Sequence, residues 1–195
     1  MTTSGFAQDT DASPMVRWTR ALERATGLDR PIKVVRPLAH ALVADPARRD
    51  ILHGTWLGHA VHPVLTDVVI GFWTSANVLD LVGGTTSRTA ARRLVGLGVL
   101  SAVPTAVTGL SEWAETGPPE QRVGVVHAVA NTVALTLYAS SWQARRHDRH
   151  ARGVALALAG SAAAAVGGYL GGHLVSVRKV SSHHPAFDQG LPKRI

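Results

Sequence analysis

Apolar residues run almost unbroken through four stretches of the chain, 64–82, 94–110, 123–142 and 153–177, and polar residues crowd the segments between them. A helix of about 20 apolar residues crosses roughly 30 Å of hydrocarbon at about 1.5 Å per residue. The third and fourth stretches contain no Asp, Glu, Lys or Arg. The second is shorter, but Ala90, Ala91 and the aliphatic stems of Arg92 and Arg93 extend it, with the charges reaching out to the interface. In the first, Asp67 and Asp80 lie near opposite ends, where a carboxylate costs least. Core helices of a soluble bundle show polar positions every three or four residues, and only the first stretch comes near that. The pattern predicts an all-α fold, a membrane-embedded antiparallel four-helix bundle with four spans.

The flanks divide the chain into an N-terminal tail 1–50, the bundle 51–178 and a polar C-terminal tail 179–195. Residues 1–13 read as disordered and lack the basic–apolar–small order of a cleavable signal, so the first span is expected to direct insertion. Met15, Trp18, Leu22 and Ala25 fall at helical spacing beside Arg17, Arg20 and Arg24. That pattern fits an interfacial helix on anionic lipid, or equally a cap packed on the bundle. Pro31 and Pro37 are expected to interrupt the next segment, and Asp45-Pro46 reads as an N-cap with a first-turn proline.

Within the spans, Gly160, Ala164, Gly168 and Gly172 form a stripe at intervals of four, with Gly167 and Gly171 beside it. Small residues let helix backbones approach in lipid, so the stripe predicts either packing inside the bundle or a homo- or hetero-oligomer face on the fourth span. Pro104 removes a backbone donor, with Ser101, Thr105 and Thr108 near enough to compensate.

Composition narrows the function. The chain has no cysteine, which excludes disulfides, thiolate catalysis and Cys-bound metal here. The formal net charge is +7, and Arg outnumbers Lys 17 to 3, a bias that points to a GC-rich bacterial source. On a membrane chain this charge speaks to lipid and topology, with no basic–aromatic strip for nucleic acid. Loops 83–93 and 143–152 carry seven arginines, whereas 112–122 carries three glutamates and one arginine. The positive-inside rule therefore expects the basic loops in the cytoplasm of a bacterial inner membrane.

With four spans, chain reversal gathers polar groups at one membrane face. His127 and His173 are expected at nearly the same depth, with Asn131 one turn deeper than His127, and His62, Asp67 and Glu112 at the rim above. Facing imidazoles can ligate haem iron axially, which makes His62, His127, Asn131 and His173 a candidate haem b site. Imidazole with carboxylate suits a transition metal instead, with His59, His62, Asp67 and Glu112 as the candidate set. The same groups can relay protons, or simply cap helices and bond across the bundle. No nucleophile–base pair or phosphate loop supports an enzyme.

The blocks "LHGTWLGHAVHPVLTDVVIGFWTSANVLDLVGG", "TAVTGLSEW", "RVGVVHAVANTVALTLYASSW" and "GGYLGGHLV" resemble a bacterial membrane-protein family known as domain of unknown function 2231, over about residues 50–188. The resemblance implies a four-span inner-membrane protein with no assigned activity. Some relatives look to carry a Rieske iron–sulfur domain after the last span, which implies a redox setting and a Rieske-type partner. Its motif positions fall on His59, His62, Pro63, Asp67, Gly109, Glu112, Trp113, His127, Asn131, Gly171, Gly172 and His173. Glu112 stands where the family more often has Asp, and "SVRKVSSHHPAFDQG" is more polar than the usual glycine–valine run. Two readings result: a redox-associated subunit binding haem or metal through the histidines, or a non-enzymatic structural or partner subunit. A proton or solute carrier is a third, weaker reading, since only Asn77 and Asp80 lie deep towards the far side besides Ser and Thr.

Overall fold

The computed structural model describes residues 12–187, so the expected disorder of residues 1–11 and the end of the C-terminal tail lie outside the described residues. Helix α1, Pro14–Arg24, starts at Ser13, whose Oγ accepts from Val16 N at 3.4 Å. It docks on the bundle through Thr19, which is buried and bonds to Tyr169 Oη at 3.1 Å. Met15 and Val16 remain exposed on it. Helix α2, Asp29–Val43, runs through both Pro31 and Pro37, against the expected interruption. Pro31 sits in the first turn, where its N–H has no intrahelical partner to lose. Pro37 forfeits one backbone bond, which burial of Ile32 and Ala39 against Trp113 and Ala114 offsets.

Helix α3, Pro46–His53, begins as the sequence predicts, with Asp45 Oδ1 accepting from Arg48 N at 2.8 Å. It stops at Gly54, where φ is +71° and a Cβ would lie 2.6 Å from His59 O, so both handedness and space require glycine. Val34, Leu38, Ile51 and Trp56 are exposed at this end.

Four longer helices complete the chain's helical order: α4 Val61–Val82, α5 Arg88–Ala114, α6 Pro118–Arg146 and α7 His150–Gly172, the last continued by a π turn His173–Val177. With the short turn before α5 and the π turn after α7, all four are long and apolar enough to cross a bilayer. They overrun the apolar stretches because their ends carry charged residues that solvent can reach. Each packs on the next in chain order, and α4 meets α7 along a narrower seam that closes the ring. Pro104 leaves α5 unbroken, with Thr105 Oγ1 and Thr108 Oγ1 bonding back to Ser101 O and Pro104 O. Among the described residues there is no strand, only an isolated bridge between His59 and His183.

The core joins all four helices. Trp73 on α4 stacks on Tyr138 of α6 with centroids 3.9 Å apart and planes 8° apart, against Val95, Ala91, Ala134 and Ala157. The Trp73 ring lies on Gly98 of α5, where any Cβ would collide with it. The glycines of α7 sort differently from the expected stripes. Gly160, Gly167 and Gly171 face inward, beneath Tyr138, Asn131 and His127 respectively, whereas Gly168 and Gly172 face open space. Inward glycines thus repeat at 160 and 167, close to the seven-residue period of two antiparallel helices in close contact.

Candidate functional site

The register of the bundle sets the depth of each candidate group. On α4, His62 donates from Nδ1 to Thr105 O of α5 at 2.9 Å. On α6, His127 donates from Nδ1 to Gly167 O of α7 at 2.8 Å. A carbonyl can only accept, so each Nδ1 carries the proton and each Nε2 keeps its lone pair. Thr105 and His127 lie equally far from the α5–α6 turn, so these two imidazoles share one layer and lie within electrostatic range of each other. Asn131 Nδ2 donates to His127 Nε2 at 3.1 Å and to His127 O at 3.0 Å, which fixes the ring.

The expected depths of the other residues change. His173 stands about 9 Å nearer the mouth than Gly167, by six residues of helix, and donates from Nε2 to Glu23 Oε1 of α1 at 2.9 Å. It does not face His127 across a ligand gap. His62 sits in the His127 layer rather than above it, and Asp67 lies deeper still. The reason is that α5 and α6 rise roughly 13 Å past the start of α4, with α3 and the 55–60 turns filling the difference.

Glu112 occupies the mouth, where its Oε2 accepts from Ser182 N and Oγ at 3.1 and 2.9 Å, while Oε1 is buried with no hydrogen-bond partner among the described residues. His59 donates from Nδ1 to Ala60 O at 3.0 Å. Among the described residues, no three His, Asp or Glu side chains converge as a metal site would require, so His59, His62, Asp67 and Glu112 are dispersed. A cleft of about 950 Å³ opens beside Glu112, lined by His53, Glu115, Arg178 and the 179–185 segment among others. That segment straps the mouth, with His184 N donating to Gly58 O at 3.1 Å.

Several polar contacts were not evident from the sequence. His53 is buried and bonds from Nε2 to Ser111 O at 3.2 Å. Asn77 Nδ2 donates to Tyr138 Oη of α6 at 3.1 Å and Ser161 Oγ of α7 at 2.7 Å, leaving Asn77 Oδ1 and Trp73 Nε1 buried with no hydrogen-bond partner among the described residues. At the far end Arg145 is buried against Asp80, so one of the seven arginines assigned to the basic loops is part of the core. Lone polar residues inside apolar runs were the available signal for Asn77 and Tyr138. Nothing in the sequence pointed from His173 to Glu23, 150 positions away.

Four apolar helices joined by short turns, with polar side chains hydrogen-bonded between them, define a multi-pass α-helical membrane protein in contact with the lipid bilayer. The chain belongs to the family described as predicted membrane protein DUF2231, whose model matches residues 58–184. That match spans all four membrane helices and nearly all of the strap. No curated protein and no solved structure matches the chain.

Proposed function

We propose that the chain is a non-enzymatic membrane subunit that assembles with a partner through its lipid-facing surface. The observation that carries this reading is how the imidazoles are used. His53, His62, His127 and His173 each bond to a helix other than their own, the first two both to α5, as latches that hold the bundle. Gly168 and Gly172 meanwhile leave a smooth outward face on α7, the kind of surface on which transmembrane helices associate. In native-membrane nanodiscs, the wild-type chain and a His173→Ala variant should migrate as a complex larger than the monomer. Gly168→Leu should collapse it to the monomer; a complex that survives this substitution refutes the reading. The bacterial inner membrane, with loops 83–93 and 143–152 cytoplasmic, is the setting that the charge asymmetry favours.

A redox-associated role is the second reading, favoured by the tautomers of His62 and His127. An imidazole whose Nδ1–H is anchored on a carbonyl presents Nε2 to a metal, as metal-ligating histidines usually do. His62 and His127, rather than His127 and His173, would then be the haem or metal ligands, with Asn131 yielding Nε2 and a Rieske-type protein as electron partner. Protein purified in mild detergent should show a Soret band or stoichiometric metal, lost in His62→Ala and His127→Ala. Colourless, metal-free protein with a folded bundle rules this out.

A further inference from the structure

Asp67 is the one carboxylate of the spans with nothing to hold it. Asp80 has Arg145, whereas Asp67 is exposed on α4 with no hydrogen-bond or ion-pair partner among the described residues. The contacts of His62 with Thr105 and of Trp73 with Gly98 set the register of α4 on α5. By that register Asp67 lies opposite about residues 101–103, roughly the centre of α5 and of the hydrocarbon. An ionisable group at that depth is costly and is expected to face protein rather than lipid. Beside it Val64 and Val68 are exposed and Gly71 has nothing within 4 Å of a Cβ, so the face is smooth and open to close approach.

We propose that this face of α4 docks a transmembrane helix of a second protein that carries a lysine or arginine at mid-bilayer depth, paired with Asp67. The charge argument selects that occupant. A second copy of this chain has no Lys or Arg in its apolar stretches and would bring only another carboxylate. Cationic lipid headgroups stay at the interface, roughly 15 Å from the bilayer centre. The inference rests on the partner-subunit reading and adds the chemistry of one contact to it. It uses a face of α4 distinct from the Gly168 face of α7, so the two tests fail independently.

The test uses the full chain in phosphatidylcholine vesicles with fluorescent synthetic Leu/Ala transmembrane peptides bearing Arg or Leu at the centre. Energy transfer should show the Arg peptide associating at least tenfold more tightly than the Leu peptide. Asp67→Asn should abolish the preference and Asp67→Glu retain it, both with wild-type circular dichroism. Equal association of the two peptides, or a preference that survives Asp67→Asn, overturns the proposal. Self-association of the chain without peptide, lost in Asp67→Asn, also overturns it in favour of a second copy.

Discussion

Arg145 grips Asp80 across the far end of the bundle, Nη1 and Nη2 donating to Oδ1 and Oδ2 at 2.8 and 2.5 Å, with the two side chains 1% and 2% exposed. Ser141 Oγ accepts from Arg145 Nε at 3.1 Å and donates to Gly153 O at 2.6 Å, so the pair is tied to α7 as well. Removing one partner strands a buried charge, and such changes cost about 3–5 kcal/mol. Arg145→Met and Asp80→Leu should each lower the apparent unfolding temperature in mild detergent. The double variant should recover most of the loss, because no charge is then left unpaired. A double variant as damaged as the sum of the singles would contradict this account.

Adjacent glycines of α7 should respond in opposite ways. A Cβ at Gly167 would lie 2.5 Å from Asn131 Oδ1, whereas one at Gly168 meets nothing within 4 Å. Gly167→Ala must push Asn131 off His127 and should destabilise by about 1–3 kcal/mol. Gly168→Ala should leave the isolated chain as stable or slightly more so, since alanine is the better helix former. Thermal unfolding of the two variants, measured side by side, checks the contrast.

The spans were legible in the sequence because their signal is one-dimensional: length, apolarity and absence of charge decide it, whatever the neighbours do. The pairings were not. His127 and His173 look equivalent when depth is counted from span ends, but that count assumes helices that begin level. α4 starts well below the α5–α6 turn, which carries His62 down to the His127 layer and Asp67 below it. The Gly167 and Gly168 faces are likewise indistinguishable by spacing, since the angle of α7 about its axis is set by contacts with Tyr138, Asn131 and His127. Pro37 deceives for a similar reason: local propensity marks a break, and burial of α2 on Trp113 overrides it.

Docking of α2 should depend on pH through Asp29. Arg122 Nε and Nη2 donate to Asp29 Oδ1 and Oδ2 at 2.8 and 3.1 Å, and this bidentate bond holds the Asp29 carboxyl below its ordinary value of 3.8. A carboxyl whose pKa is depressed on folding contributes its stabilisation above the unfolded value and loses it as pH falls through the lower, folded one. Hydrogen exchange of the α2 amides, corrected for intrinsic rate, should therefore be flat from neutrality down to 3.8 and rise below it. In Arg122→Gln that acid-dependent rise should be blunted, with faster exchange already at neutral pH.

The histidines of α6 and of the π turn should separate by what they hold. His127 joins α6 to α7 inside the bundle through Gly167 O, with Asn131 locked on its other nitrogen. His173 joins the π turn to Glu23, and Arg178 reinforces that end through Glu23 and Glu120. Loss of a buried hydrogen bond leaves a group unsatisfied and costs about 1–3 kcal/mol, so His127→Ala should lower the unfolding temperature of the whole bundle. His173→Ala removes one tether of α1, while Thr19 and Trp18 on Tyr169, Arg178 on Glu23 and Arg122 on Glu23 O are among the contacts that remain. It should speed tryptic cleavage after Arg24 several-fold while the bundle melts nearly as in the wild type. Equal thermal losses in the two variants would mean that α1 is an integral part of the bundle rather than a cap upon it.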